Sequence, residues 1–277
     1  MNPDTVDFVK MHGAGNDFIM IDDLEERYDP DAGTIAALCA YHRGIGADGL
    51  ILLRPGSHSQ FRMRYYNSDG GEAAMCGNGA RCAALFAYRK GIAHREMTFE
   101  TGSGRVRAEV RGGMVAVDIE DVRGIRLHMN LEDTGVEAHF TVAGVPHAVI
   151  LVDDARAYAP GRFLALARSV RNDTAFQPAG ANVNLVTVHR SDRLHYRTYE
   201  RGLERETLAC GTGAVASAVI AAHLDLAGPP VECETSGGDV LEVVFDRIDD
   251  GATNCRLVGP AVVAFTGSFS TVDYAPR

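Results

Sequence analysis

Lysine is nearly missing from this chain of 277 residues: of 27 basic residues only Lys10 and Lys90 are lysines, and the rest are arginines. A Schiff base to pyridoxal phosphate therefore has two candidates. Lys90 stands in "YRKG", where a helical pattern ends and a cation suits the C-terminal dipole. Lys10 lies in an early strand-like run. Neither has a phosphate loop beside it, and no cofactor is expected. A dense Lys/Arg run is also lacking, and the formal net charge is −10. That argues against nucleic acid or an anionic membrane as partner, though not against an anionic small molecule. No apolar run approaches the roughly 18–20 residues of a membrane span. The opening "MNPDTVDFVK" has no basic stretch followed by an apolar one, so no signal peptide is expected and the reading is a soluble cytoplasmic protein. The cysteines Cys39, Cys76, Cys82, Cys210, Cys233 and Cys255 then read as thiols. They form no C-x-x-C, and no Cys/His pair has zinc spacing, so no metal is expected.

What the chain does contain is a repeat. "EAAMCGNGARCAA" (72–84) and "ETLACGTGAVASA" (206–218) share Cys-Gly-x-Gly-Ala, with Cys76 and Cys210 separated by 134 positions. At the same offset "ADGLILL" (47–53) meets "ANVNLVTV" (181–188), pairing Asp48 with Asn182, and "FETGSGRV" meets "CETSGGDV". "GAGNDFIMIDD" (13–23) meets "GVPHAVILVDD" (144–154), pairing Asn16 with His147, and Pro30 meets Pro160. Segments keeping one order at nearly constant spacing read as two homologous halves. The expected division is 1–124, joined by a C-terminal strand 263–277, and 125–262, with "EDVRGI" (120–125) as the crossover. Short β-branched or alternating runs bounded by Gly, Asp and Asn predict many strands. Helices are expected at about 30–42, 78–90, 160–171 and 212–223, the first and third opened by proline near N1. The fold class is α+β, with two pseudo-symmetric strand-rich domains, each a sheet wrapped around a buried helix.

In both copies the cysteine precedes a helix after a strand and a polar loop. Gly-x-Gly lets the backbone approach another group and leaves N–H groups open. The helix start adds about half a positive charge, which favours a thiolate and forms a seat for a carboxylate. The other four cysteines read as small buried hydrophobes. A lone Cys-Gly-x-Gly would read as a tight turn, but the duplication changes that for Cys76 and Cys210. Two such loops related by pseudo-symmetry can face each other across a small substrate. One sulfur would take a proton from a carbon and the other would give one to the opposite face. Backbone N–H groups at 77–79 and 211–213 would hold the α-carboxylate as it takes up enolate charge.

"MHGAGNDF" (11–18), "YYNSDGGEAAMCGNGARC" (65–82), "GVPHAV" (144–149), "YERG" (199–202) and "ETLACGTGA" (206–214) resemble the diaminopimelate epimerase family, in its order and over nearly the whole chain. The resemblance implies interconversion of LL- and meso-diaminopimelate without pyridoxal phosphate, in lysine and peptidoglycan precursor synthesis. It implies Cys76 and Cys210 as the catalytic acid/bases. Gly77, Asn78, Gly211 and Thr212 would hold the reacting carboxylate. Asn16, Asn67 and Asn182 would contact substrate, as would Glu200 at an ammonium and Arg201 at the distal carboxylate. His147 and Glu200 would assist, with a packing role for His147 as the alternative.

Two positions depart from the family pattern. Val145 stands where Asn often precedes Pro-His, and Gly49 where Gln often follows the aspartate. Both bear on the distal binding end. The competing readings are an epimerase or racemase of another amino acid (histidine or proline type), a non-catalytic amino-acid-binding protein, and a redox protein using the cysteine pair. The expected partner is a small amino-acid substrate; a homodimer is allowed by the sequence and not specified by it.

Overall fold

The structure is a computed structural model in which residues 5–274 are described. The chain divides into two compact units, Met1–Val117 with Gly259–Arg277, and Asp118–Val258. The expected crossover at 120–125 is instead strand. Residues 122 and 123 pair with Ala252 and Gly251, and Ile119 N–H donates to the Cys255 carbonyl, so this segment belongs with the second unit.

The first unit runs β1 (Thr5–Gly13), β2 (Asn16–Asp22), α1 (Ala32–Cys39), β3 (Gly49–Arg54), β4 (Arg62–Asn67), β5 (Glu72–Ala73), α2 (Gly77–Arg89), β6 (Glu96–Thr101), β7 (Gly104–Arg111) and β8 (Met114–Asp118). β1–β2 is antiparallel, β2–β3 parallel, β3–β4 antiparallel and β4–β6 parallel. β3, "GLILLR", is buried along its whole length, because it is flanked on both edges and covered on both faces. The strand Val262–Ser270 closes this unit by pairing antiparallel with β1. The expected strand 263–277 thus begins one residue earlier, and 275–277 lie outside the described residues.

The second unit runs β9 (Val122–Asn130), β10 (Glu137–Ala143), β11 (Val145–Leu151), α3 (Pro160–Arg171), β12 (Asn182–Arg190), β13 (Arg193–Glu200), β14 (Arg205–Thr207), α4 (Gly211–His223), β15 (Val231–Glu234), β16 (Val240–Ile248) and β17 (Gly251–Pro260). From β10 onward the order and the parallel or antiparallel sense of each pairing repeat those from β1 onward. β9 beside β10 takes the place that the C-terminal strand takes beside β1. This is the expected α+β class, two strand-rich domains with four α-helices among the described residues.

α2 and α4 are the buried helices. Their Gly/Ala-rich first turns let strands pack against the helix backbone, and residues 78–87 of α2 and nearly all of α4 are buried. α1 differs from its expected range. Pro30 does not open it; Asp31 is the N-cap, its carboxylate accepting from Thr34 N–H at 2.7 Å, and the helix ends at Cys39. α3 begins at Pro160 as expected of N1 proline. No described helix is long and apolar enough to cross a membrane.

Phe163 on α3 is fully buried in the second unit's core, with the Arg197 guanidinium 4.6 Å from its ring. Phe163→Ala should destabilise the protein by about 3–5 kcal/mol, read as a shifted urea midpoint at unchanged slope.

Candidate active site

In the first unit Cys76 is the N-cap of α2, with extended backbone (φ −145°, ψ 117°) and its sulfur accepting from Gly79 N–H at 3.4 Å. The Asn16 Oδ1 lies 3.6 Å from the same sulfur. Two further groups fix this amide. Asn16 Nδ2 donates to Asp48 Oδ2 at 2.8 Å, and Asn78 Nδ2 donates to Asn16 Oδ1 at 3.1 Å. Asn78 is fixed in turn, because Arg81 Nη2 donates to its Oδ1 at 2.9 Å. Arg81 is fully buried. Asp48 belongs to a wider ionic network: Asp17 accepts from the Asp48 N–H at 2.9 Å and pairs with buried Lys10 at 2.7 Å.

Asn67 ends β4. Its Oδ1 accepts from Tyr65 O–H at 2.7 Å. The Tyr65 ring also bears on the departure at Gly49, where a β-carbon would stand 2.5 Å from the Tyr66 carbonyl and 2.7 Å from the Tyr65 ring. A longer residue has no room on this backbone, and a tyrosine hydroxyl stands nearby instead.

In the second unit Cys210 is the N-cap of α4 (φ −118°, ψ 111°), and Thr212 Oγ1 lies 3.4 Å from its sulfur. His147, wholly buried on β11, reaches Thr212 Oγ1 through Nε2 at 3.0 Å. Its Nδ1 meets Asn184 Nδ2 at 2.9 Å. Asn184 also donates to the Ala148 carbonyl and accepts from Thr198 O–H at 2.7 Å. Gly213 leaves room for this pair: a β-carbon there would stand 2.7 Å from both Asn184 Oδ1 and Thr198 Oγ1.

Elsewhere in this unit Asn182 Oδ1 accepts from Arg201 N–H at 2.8 Å, and the Arg201 guanidinium donates to the Ala179 carbonyl at 2.9 Å. Glu200 accepts from Thr207 O–H. Glu72 and Glu206, each four residues before a cysteine, are held by Arg64 and Arg197 in two-pronged pairs. Hence Cys76, Asn16 and Asn78 form one hydrogen-bonded group, and Cys210, Thr212 and His147 another. Asn67, Glu200 and the Asn182–Arg201 pair have the partners just described.

Burial holds the remaining thiols in their protonated form. It pushes Cys39 and Cys82 up to about 12 and Cys255 up to about 11, and raises Cys233 as well. Asp48, Arg81, Asn184 and Thr198 were missed in the sequence. The only signal was the alignment of Asp48 with Asn182 and the position of "NVNLV" and "RTYE" beside residues already singled out.

One cluster away from the cysteines has metal-ligand chemistry. His128, Glu137 and His139 bring one ligand atom each within 4.8 Å of one another, beside a cleft of about 290 Å³ lined also by Leu151, Leu224 and Leu226. The His128 backbone N–H donates to His139 Nδ1 at 3.1 Å. Burial lowers the pKa of His139, which keeps it neutral with its proton on Nε2, the nitrogen turned toward Glu137. A metal would need that lone pair, so the donor set does not fit one.

The fold is shared with solved structures of differently named proteins. A hydroxyproline epimerase from Agrobacterium vitis, solved with bound trans-4-hydroxy-L-proline, superposes with a TM-score of 0.71 at 15% identity, over 96% of this chain and 93% of its own. At the level of sequence, a family model described as diaminopimelate epimerase matches residues 8–124 and 140–254. The diaminopimelate epimerase of Aquifex aeolicus is 37% identical over 96% of this chain and 98% of its own, and that of Chlorobaculum tepidum 36% identical over 94% and 100%. The chain belongs to the diaminopimelate epimerase family, a family of isomerases.

His147 gives a pH signature. Burial, and then the Arg201 charge, lower its pKa to about 3. The unfolded imidazole takes up a proton below about 6.5 and the folded one does not. Stability from this site is therefore whole above about pH 6.5 and falls as pH drops toward 3, by at most about 1.4 kcal/mol per pH unit. His147→Leu should flatten the fall in unfolding free energy between pH 7 and 5, measured by urea titration.

Proposed function

We propose that this protein interconverts LL- and meso-diaminopimelate by two-cysteine acid/base chemistry with no pyridoxal phosphate, in the synthesis of lysine and peptidoglycan precursors in the cytoplasm. One sulfur, as thiolate, removes the α-proton. The other, as thiol, delivers a proton to the opposite face, inverting the carbon. Charge released at the carbon passes into the α-carboxylate, which is held by N–H groups of the two helix starts: Gly77 and Asn78 on one side of the reaction, Gly211 and Thr212 on the other. Asn16, Asn67 and Asn182 contact the substrate's polar groups. Glu200 takes an ammonium, and Arg201 the distal carboxylate in a fork. His147 assists through Thr212.

The observation that carries this reading is the placement of Cys76 and Cys210. In a chain of this family, each caps a buried helix at its positive end and has a polar side chain against its sulfur. A cysteine placed only for packing would resemble Cys82 or Cys233, enclosed and held as a thiol by burial.

The test is α-proton exchange in D2O by purified, reduced protein without added cofactor. Diaminopimelate should exchange and epimerise. Cys76→Ser and Cys210→Ser should each lower epimerisation by about 10²–10⁴-fold, the scale of a lost acid or base. Exchange with proline or histidine but not diaminopimelate would reassign the substrate; no exchange with any of them would overturn the enzymatic reading.

A second outcome concerns binding. Arg201→Lys replaces a planar fork with a point charge, and should raise KM for diaminopimelate by about ten-fold with a smaller effect on kcat. An unchanged KM would remove Arg201 from the distal carboxylate.

A further inference from the structure

The direction of hydrogen bonds at the two sulfurs differs, and it assigns them different resting states. We propose that the substrate-free protein holds Cys210 as the thiolate and Cys76 as the thiol, an order set by Asn184, His147 and Thr212 in one unit and by Asp48 and Arg81, through Asn16 and Asn78, in the other. This rests on the two-cysteine reading above and adds which cysteine is the base at rest.

In the second unit the hydrogen bonds run toward the sulfur as far as Thr212 Oγ1, and the proposal places the last proton, that of the Thr212 hydroxyl, on the sulfur. The Ala148 carbonyl can only accept, so the Asn184 amide nitrogen lies on that side, 3.3 Å away. The same nitrogen faces His147 Nδ1 at 2.9 Å, and that ring nitrogen must accept. His147 is wholly buried and neutral, so its one proton is on Nε2 and is donated to Thr212 Oγ1 at 3.0 Å. Thr212 keeps its own hydroxyl proton, and Cys210 Sγ lies 3.4 Å from that oxygen. A sulfur that accepts this proton is stabilised as its anion.

In the first unit an acceptor points at the sulfur. Arg81 can only donate, so Asn78 Oδ1 faces it at 2.9 Å and Asn78 Nδ2 turns to Asn16. A carboxylate can only accept, so Asn16 Nδ2 faces Asp48 at 2.8 Å. Both constraints leave Asn16 Oδ1 toward Cys76 Sγ at 3.6 Å. A carbonyl oxygen accepts an S–H proton and repels a thiolate. Gly79 N–H, at 3.4 Å, is the donor that the thiol sulfur accepts at the same time.

Fixed charges do not reverse the order. Arg81 and Lys10 in the first unit's network are offset by Asp17 and Asp48, with His12 accepting from Gly15 N–H at the adjacent turn. In the second unit Arg197 is offset by Glu206, and the Arg201 charge, which acts on His147, favours an anion on this side. Cys210 is the more buried, at 6% exposure, which opposes its ionisation. A hydrogen bond to an ionised group is worth about ten- to a hundred-fold in that equilibrium, enough to offset it.

From this resting state the proton count closes. The Cys210 S–H bond forms as the substrate C–H bond breaks, with the electron pair passing into the carboxylate as an enolate. The Cys76 S–H bond breaks as the new C–H bond forms. The enzyme is left with Cys210 as thiol and Cys76 as thiolate, and proton exchange with solvent restores the order.

The test is the titration of the whole reduced protein labelled with [3-13C]cysteine. Its Cβ resonances are assigned with Cys76→Ser and Cys210→Ser, and the buried cysteines serve as thiol references. The expected result is a thiolate shift for Cys210 at pH 7, a thiol shift for Cys76, and a Cys210 midpoint at least one pH unit lower. Thr212→Val should raise the Cys210 midpoint and leave that of Cys76 unmoved, while Thr212→Ser should restore it. Asp48→Asn frees the Asn16 amide to turn and should lower the Cys76 midpoint only. Cys76 titrating at or below the pH of Cys210, or a Cys210 midpoint that ignores Thr212→Val, overturns the proposal. The readout needs no substrate, so it can fail while D2O exchange succeeds, and the reverse.

Discussion

A helix packed into a domain core from its first turn leaves backbone N–H groups with little else to bond, and the candidate site depends on how this chain meets that constraint. At α2 and α4 the cap is a cysteine where a hydroxyl or carboxylate would be ordinary. Sulfur is a weak acceptor, so the positive end of each helix is left under-satisfied and available to an anion. The same burial requires small residues. At Gly79 a β-carbon would stand 2.9 Å from Ile51 Cδ1, and at Gly213 it would meet the Asn184–Thr198 pair. The second glycine of each Gly-x-Gly therefore serves packing, beside the opening for a ligand that the proposed reaction gives these loops.

That double use explains which parts could be read in the sequence. The cysteines, the glycines and the repeat were legible because they recur at one spacing, and the element order follows from the repeat. The family was legible in contiguous motifs, whereas Asp48, Asn184 and Arg81 were not. Asn184 sits inside a strand between Val183 and Leu185, and Thr198 between Arg197 and Tyr199, where neither gives a local sign of its partner. Arg81 lies in a helix that is buried nearly all round, in a place a cation is not expected. Their roles depend on which atom faces which across strands distant in sequence. The start of α1 was misplaced for a local reason: Pro30 is a plausible N1 residue, but Asp31 with Thr34 is the stronger cap signal. The crossover at 120–125 was misread because its partner, β17, lies well over a hundred residues further on.

Duplication gives two copies of one scaffold, and two identical copies would give their cysteines the same affinity for a proton. A reaction that removes a proton with one sulfur and supplies it with the other needs them unequal at the start. The divergence between the halves falls at the positions that can produce this. Asn78 aligns with Thr212, while the strand registers correct the other expected pairs: Asn16 corresponds to Val145, His147 to Phe18 and Asn182 to Gly49. Asn16 and Asn78 are amides whose orientation is locked by an aspartate and an arginine, so a carbonyl oxygen meets the sulfur. Once His147 is neutral the imidazole donates to the Thr212 hydroxyl, and in the proposed resting state that hydroxyl turns its own proton to the sulfur. Burial of His147 is what makes that direction insensitive to pH, since a protonated ring could no longer accept from Asn184. The scaffold thus supplies two matched helix starts, and in the proposed reaction a few side chains behind them distinguish the acid from the base.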